Sequence, residues 1–149
     1  MDKNKEITVA KIFKSALENH QANKIEVAQN LYNQVLEIDP THNDTLNNLG
    51  VLFQSYGDIQ KAKLFFEKTT KLDPNHLDAH NNLGKLYKEL EEHQKAKECY
   101  EKVIRLDPNN IHTHNNLGLV NHILGEHQKS ISCFEKTIKI DPNYLEGHN

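Results

Sequence analysis

The sequence predicts an all-α fold, a solenoid of antiparallel helix pairs in about four units. Three observations predict it. Asp39-Pro40, Asp73-Pro74, Asp107-Pro108 and Asp141-Pro142 follow one another at intervals of 34 residues. Asn-Asn-Leu-Gly recurs at the same interval, at Asn47 to Gly50, Asn81 to Gly84 and Asn115 to Gly118. Between these marks the apolar residues recur at helical spacing. A fixed period of this size means stacked supersecondary units, each too small to bury its own apolar face alone.

Within a unit the two helices can be placed from the residues. From Asn43, Leu46, Leu49, Leu52, Phe53 and Tyr56 form the first helical stripe. Gly57 breaks it, and Asp58 is a suitable N-cap for the second helix. Ile59, Ala62, Phe65, Phe66 and Leu72 form the second stripe. Asp73 precedes Pro74, which disfavours the α region at Asp73, so the helix ends there. The layout repeats over 77–110 and 111–144. Gly50, Gly84 and Gly118 face Ala62, Ala96 and Ser130 in this layout. A glycine inside a helix costs about 1 kcal/mol against alanine, so its threefold use implies that a side chain would clash.

Composition limits the function classes. The 149 residues carry 26% charged residues and a net charge of −3. That balance gives no basic excess for a phosphate backbone or an anionic bilayer, so neither nucleic acid nor membrane is an expected partner. Mean hydropathy is −0.77, and no apolar run is long enough to span a bilayer. The N-terminus lacks the apolar core of a secretory signal. Cys99 and Cys133 sit in the same slot of neighbouring units, too far apart for a disulfide, and two reduced thiols fit a cytoplasmic chain.

The ten histidines follow the repeat register rather than converging, so no metal site is expected. No phosphate loop, nucleophile elbow or zinc-protease motif occurs, and the Asp-Pro pairs are helix stops. The expectation is a non-catalytic chain without a cofactor.

The 34-residue unit, with Leu-Gly, an aromatic three residues on, a small residue, a further aromatic and a closing proline, resembles the tetratricopeptide repeat. The resemblance implies a right-handed superhelix with one domain over 1–149. Units 43–76 and 77–110 match nearly every signature position. Unit 111–144 departs at Asn121 and Ser130. Unit 9–42 is degenerate, with Ser15, Ala16 and Asn19 in place of Leu, Gly and aromatic, as an N-terminal cap would be. Residues 145–149 align with the start of a further repeat, so the chain reads as a piece of a longer array.

By the same resemblance, Asn48, Asn82 and Asn116 point into the concave groove lined by the first helices. An amide both donates and accepts, so such a ladder can hold the backbone of an extended polypeptide. Lys85, Lys88 and Glu89 would tune its preference. The competing reading is that the three asparagines bond neighbouring repeats and only hold the array. Asn47, Asn81 and Asn115 are expected to be solvated or to lie between repeats. No register supplies the cationic set that a chaperone carboxylate clamp needs.

The stretch Asp44-Thr45-Leu46-Asn47-Asn48-Leu49-Gly50 is further similar to the arrays of O-linked N-acetylglucosamine transferases and related bacterial proteins. That likeness implies the substrate-recognition segment of a longer glycosyltransferase as an alternative to a free-standing scaffold. A third reading is self-association through an uncapped last helix, with Ile131, Phe134 and Ile138 left partly exposed.

Overall fold

The computed structural model describes residues 1–144. Among these the fold is all-α, with helices α1 (Lys3–Gln21), α2 (Ile25–Ile38), α3 (Asn43–Ser55), α4 (Ile59–Leu72), α5 (Leu77–Glu89), α6 (His93–Leu106), α7 (Ile111–Ile123) and α8 (His127–Ile140). They pack as antiparallel pairs, α1 on α2, α3 on α4, α5 on α6 and α7 on α8. The chain divides into two compact units, Met1–His76 and the residues from Leu77 on.

Each second helix stops where the Asp-Pro pair predicts. Asp39, Asp73, Asp107 and Asp141 are the C-caps of α2, α4, α6 and α8. Each aspartate then closes the turn it begins. Its carboxylate accepts from a backbone N–H two residues on, at Thr41, Asn75, Asn109 and Asn143.

The helix starts are less uniform. Asp58 Oδ1 accepts from the Lys61 N–H at 3.2 Å, as its position predicts. Its repeat equivalents, Glu92 and Glu126, cap no backbone group with their side chains. They pair instead with Lys95 and Lys129, one turn into their helices. His42 and Asn110 cap α3 and α7 through the N–H groups of Thr45 and Thr113.

In the first unit the core gathers Ala16, Ala28, Tyr32, Leu49 and Leu52, flanked by Phe13, Phe53 and Phe65. Phe53 and Phe65 stack at 5.5 Å. Tyr56 falls outside the core, as the exposed C-cap of α3. In the second unit Leu86, Ala96, Tyr100, Val103 and Val120 are fully buried.

The conserved spacing of glycines is explained by aromatic rings. A Cβ on Gly50 would lie 2.5 Å from Phe66 Cε1, on Gly84 2.7 Å from Tyr100 Cε1, and on Gly118 2.7 Å from Phe134 Cε1. The expected clash is present, but its partner is the aromatic four residues past the small residue. Ser130 does face Gly118, donating its hydroxyl to the Gly118 carbonyl at 2.8 Å. Phe134 thus packs on Gly118 between α7 and α8, yet it is only half-buried where Phe66 and Tyr100 are fully buried, so it stays partly exposed on the helix that carries Ile131 and Ile138.

Candidate functional site

The second unit shows how two successive first helices present their outer faces. On α5, Leu83, Gly84, Leu86 and Tyr87 turn inward, which leaves Asp78, Lys85 and Glu89 exposed. On α7, Leu117, Gly118 and Val120 turn inward, which leaves His112, Leu119 and Ile123 exposed. Asn82 and Asn116 are half-buried within these two stripes. The helical period dictates this: 78, 82, 85 and 89 fall on one face of α5, and 112, 116, 119 and 123 on one face of α7.

Two side-chain contacts join α5 to α7. Lys88 Nζ donates to Asn116 Oδ1 at 3.1 Å. Thr113 Oγ1 lies 3.5 Å from Asn81 Oδ1. Asn116 thus has its carbonyl oxygen engaged by a neighbouring repeat, while its amide group remains to donate. Asn81 is an inter-repeat residue, as expected. Asn47 is not solvated; it is 7% exposed on α3. Asn48 is half-buried on α3, in the first unit.

A third joint was not evident in the sequence. Lys97, on α6, is only 8% exposed, and its ammonium donates to Glu126 Oε1 at 2.7 Å. Hydrogen bonds from Lys129 and Lys97 hold the Glu126 carboxyl below its ordinary range. The signal that could have found it is a lysine on the second helix paired with an acid at the start of the next, a pairing that only packing reveals.

The histidines serve separate local partners. His76 pairs with Asp44 at 3.0 Å, His112 with the Tyr144 hydroxyl at 2.9 Å, and His114 with the Pro108 carbonyl at 2.8 Å. His20 meets the Tyr32 hydroxyl at 3.1 Å, and burial lowers its pKa. Burial also pushes the Tyr32 phenol up to about 12. No group of three or more potential metal ligands occurs among the described residues. Cys99 and Cys133 are both free thiols. Asn121 Nδ2 donates to Cys133 Sγ at 3.7 Å, and burial raises that thiol's pKa.

These features define a class: an all-helical scaffold of repeated helix pairs that presents side chains on the faces of its first helices. Family models of the tetratricopeptide repeat match residues 44–76, 77–110 and 112–144. The chain belongs to that family. Among solved structures it is similar to a crystal structure of MamA, at 29% identity and a TM-score of 0.80, over 88% of this chain and 77% of that one. A second MamA crystal structure matches at 28% identity and a TM-score of 0.83, over 93% and 76%. The pilF protein of Pseudomonas aeruginosa shares the fold, at 24% identity and a TM-score of 0.83, over 95% and 64%. No curated protein matches the sequence.

These findings correct one expectation. The chain is similar to MamA-type proteins and not to the arrays of O-linked N-acetylglucosamine transferases. Most of the Asp44–Gly50 stretch that carried that likeness is core packing. Leu46 and Leu49 are fully buried, Asn47 is nearly so, and Gly50 admits the Phe66 ring. Such a stretch marks the shared helix pair and no particular enzyme. The chain is a tetratricopeptide scaffold for protein–protein interaction. No helix among the described residues is long and apolar enough to cross a membrane.

Proposed function

We propose that the chain holds an extended polypeptide against the exposed faces of its first helices, with Asn48, Asn82 and Asn116 bonding the ligand backbone. The observation that carries this reading is the Lys88–Asn116 bond. It fixes the Asn116 amide in one orientation without consuming its donor group, so the site is organised before a ligand arrives. Lys85 and Glu89, exposed on α5, tune preference beside it. The free thiols Cys99 and Cys133 support a cytoplasmic setting. The test is the triple variant Asn48→Ala, Asn82→Ala, Asn116→Ala. Polypeptide binding should be lost with helicity retained, each amide contributing about 0.5–1.5 kcal/mol. Normal binding with a much lower melting temperature would assign the asparagines to the array instead.

Exposed side chains on α8 support a second reading, self-association. Ile131 and Ile138 are 49% and 46% exposed on that helix. An apolar surface of this kind promotes association. Sedimentation velocity should show concentration-dependent dimers that Ile131→Glu with Ile138→Glu weakens. A monomer throughout the accessible concentration range would remove this reading.

A further inference from the structure

The two first helices of the second unit share a layout but not a chemistry. At equivalent positions, Lys85 and Glu89 on α5 correspond to Leu119 and Ile123 on α7. Leu119 and Ile123 are 43% and 55% exposed, one turn apart on one face. Neither fills the core of its own helix pair, which Leu117, Gly118 and Val120 already occupy. The Lys88–Asn116 and Thr113–Asn81 contacts hold α5 beside α7, so the apolar pair and Lys85 lie on adjoining stripes.

The charges on α5 are ordered too. Lys88 is tied to Asn116, whereas Lys85 is exposed and makes no ion pair among the described residues. Asp78 and Glu89 bracket it on the same face. An acidic side chain is attracted at Lys85 and repelled to either side, which sets position as well as preference.

We infer that the α5–α7 face selects an extended peptide segment that places an apolar side chain on Leu119 and Ile123 and an acidic one on Lys85. This deepens, and rests on, the polypeptide-binding reading above. Neighbouring helices lie about 8–10 Å apart, and an extended chain rises about 3.3 Å per residue. The acidic residue therefore stands two or three positions from the apolar one. The backbone between them passes Asn82 and Asn116, which bond it irrespective of sequence. The apolar contact supplies affinity, and the charge supplies register and discrimination.

The test uses three fluorescein-labelled Gly/Ser peptides read by anisotropy against the full chain. One carries Leu and Asp two residues apart, one Leu and Lys, and one Ser and Asp. The Leu/Asp peptide should bind tightest. Leu to Ser should weaken it by about tenfold, the order expected for an incompletely buried leucine. Asp to Lys should weaken it by about fivefold at low salt, and the difference should shrink as salt rises. Lys85→Glu, an exposed position that leaves the fold intact, should reverse the preference between the Leu/Asp and Leu/Lys peptides. Ile123→Ser should remove the advantage of leucine. Equal binding of all three peptides, lost in Asn82→Ala with Asn116→Ala, would overturn this inference and leave the groove reading standing. Binding by none of them would overturn both.

Discussion

Gly84 of α5 and Tyr100 of α6 are so close that a Cβ on the glycine would lie 2.7 Å from the tyrosine ring. Tyr100 is fully buried, so its ring has little room to retreat. Gly84→Ala should therefore destabilise the second unit. Overpacking costs about 1–3 kcal/mol, and the better helix propensity of alanine offsets about 1 of it. Denaturant unfolding should show a net loss, and adding Tyr100→Leu should recover part of it, because the two positions are coupled. Independent, additive losses would show that the ring does not set the limit.

Glu91 offers the opposite case. It has φ 59°, where its repeat equivalents Gly57 and Gly125 have φ 77° and 76°. A side chain in this left-handed conformation is strained by about 1–2 kcal/mol. Glu91→Gly should raise stability by about 1 kcal/mol after the added entropy of the unfolded glycine. A melting temperature unchanged or lowered would contradict that assignment.

Asn121 occupies the position held by Phe53 and Tyr87 in the preceding repeats. It is 2% exposed, and its Oδ1 finds no partner among the described residues. Its Nδ2 donates to the weak sulfur acceptor of Cys133. Leaving a buried acceptor unsatisfied costs about 1–3 kcal/mol, so Asn121→Leu should stabilise the unit. A loss on denaturant unfolding would mean that the amide is satisfied in solution.

Acid should act on the first unit through His20. Burial lowers its pKa in the folded state from an ordinary 6.5. The unfolded chain then takes up the proton first as pH falls through that value. The contribution of His20 is complete at neutral pH and above, and is lost on acidification below about 6.5 until the folded-state pKa is passed. An NMR titration should place the His20 midpoint below 6.5, and His20→Gln should flatten this part of the stability profile. A midpoint at or above 6.5 would reverse the sign.

Much of this architecture was legible in the sequence because its determinants are local. The ends of α2, α4, α6 and α8 follow from Asp-Pro, and Asp58 reads as a cap from its own position. The glycines at 50, 84 and 118 announce a steric limit, and the structure adds that the rings of Phe66, Tyr100 and Phe134 set it. Side-chain size is visible in sequence, whereas the direction in which Phe66 or Tyr100 projects depends on how two helices pack. The site was legible only as positions. Register places Asn82, Lys85 and Asn116 on outer stripes, but the bond from Lys88 to Asn116 spans two repeats. The burial of Lys97 against Glu126 is hidden for the same reason. The contact of Phe134 with Gly118 is hidden likewise, although its partial exposure follows from its place on the last helix.

The central claim, that the first-helix faces are the polypeptide-binding surface, is tested most directly by mapping binding onto the chain. The backbone amides of the full chain, assigned by NMR, would be titrated with the Leu/Asp peptide. The account predicts shift changes at Asn82, Lys85, Asn116, Leu119 and Ile123, with Lys102 of α6 and Glu135 of α8 unmoved. Changes confined to α8, with α5 and α7 silent, would contradict it.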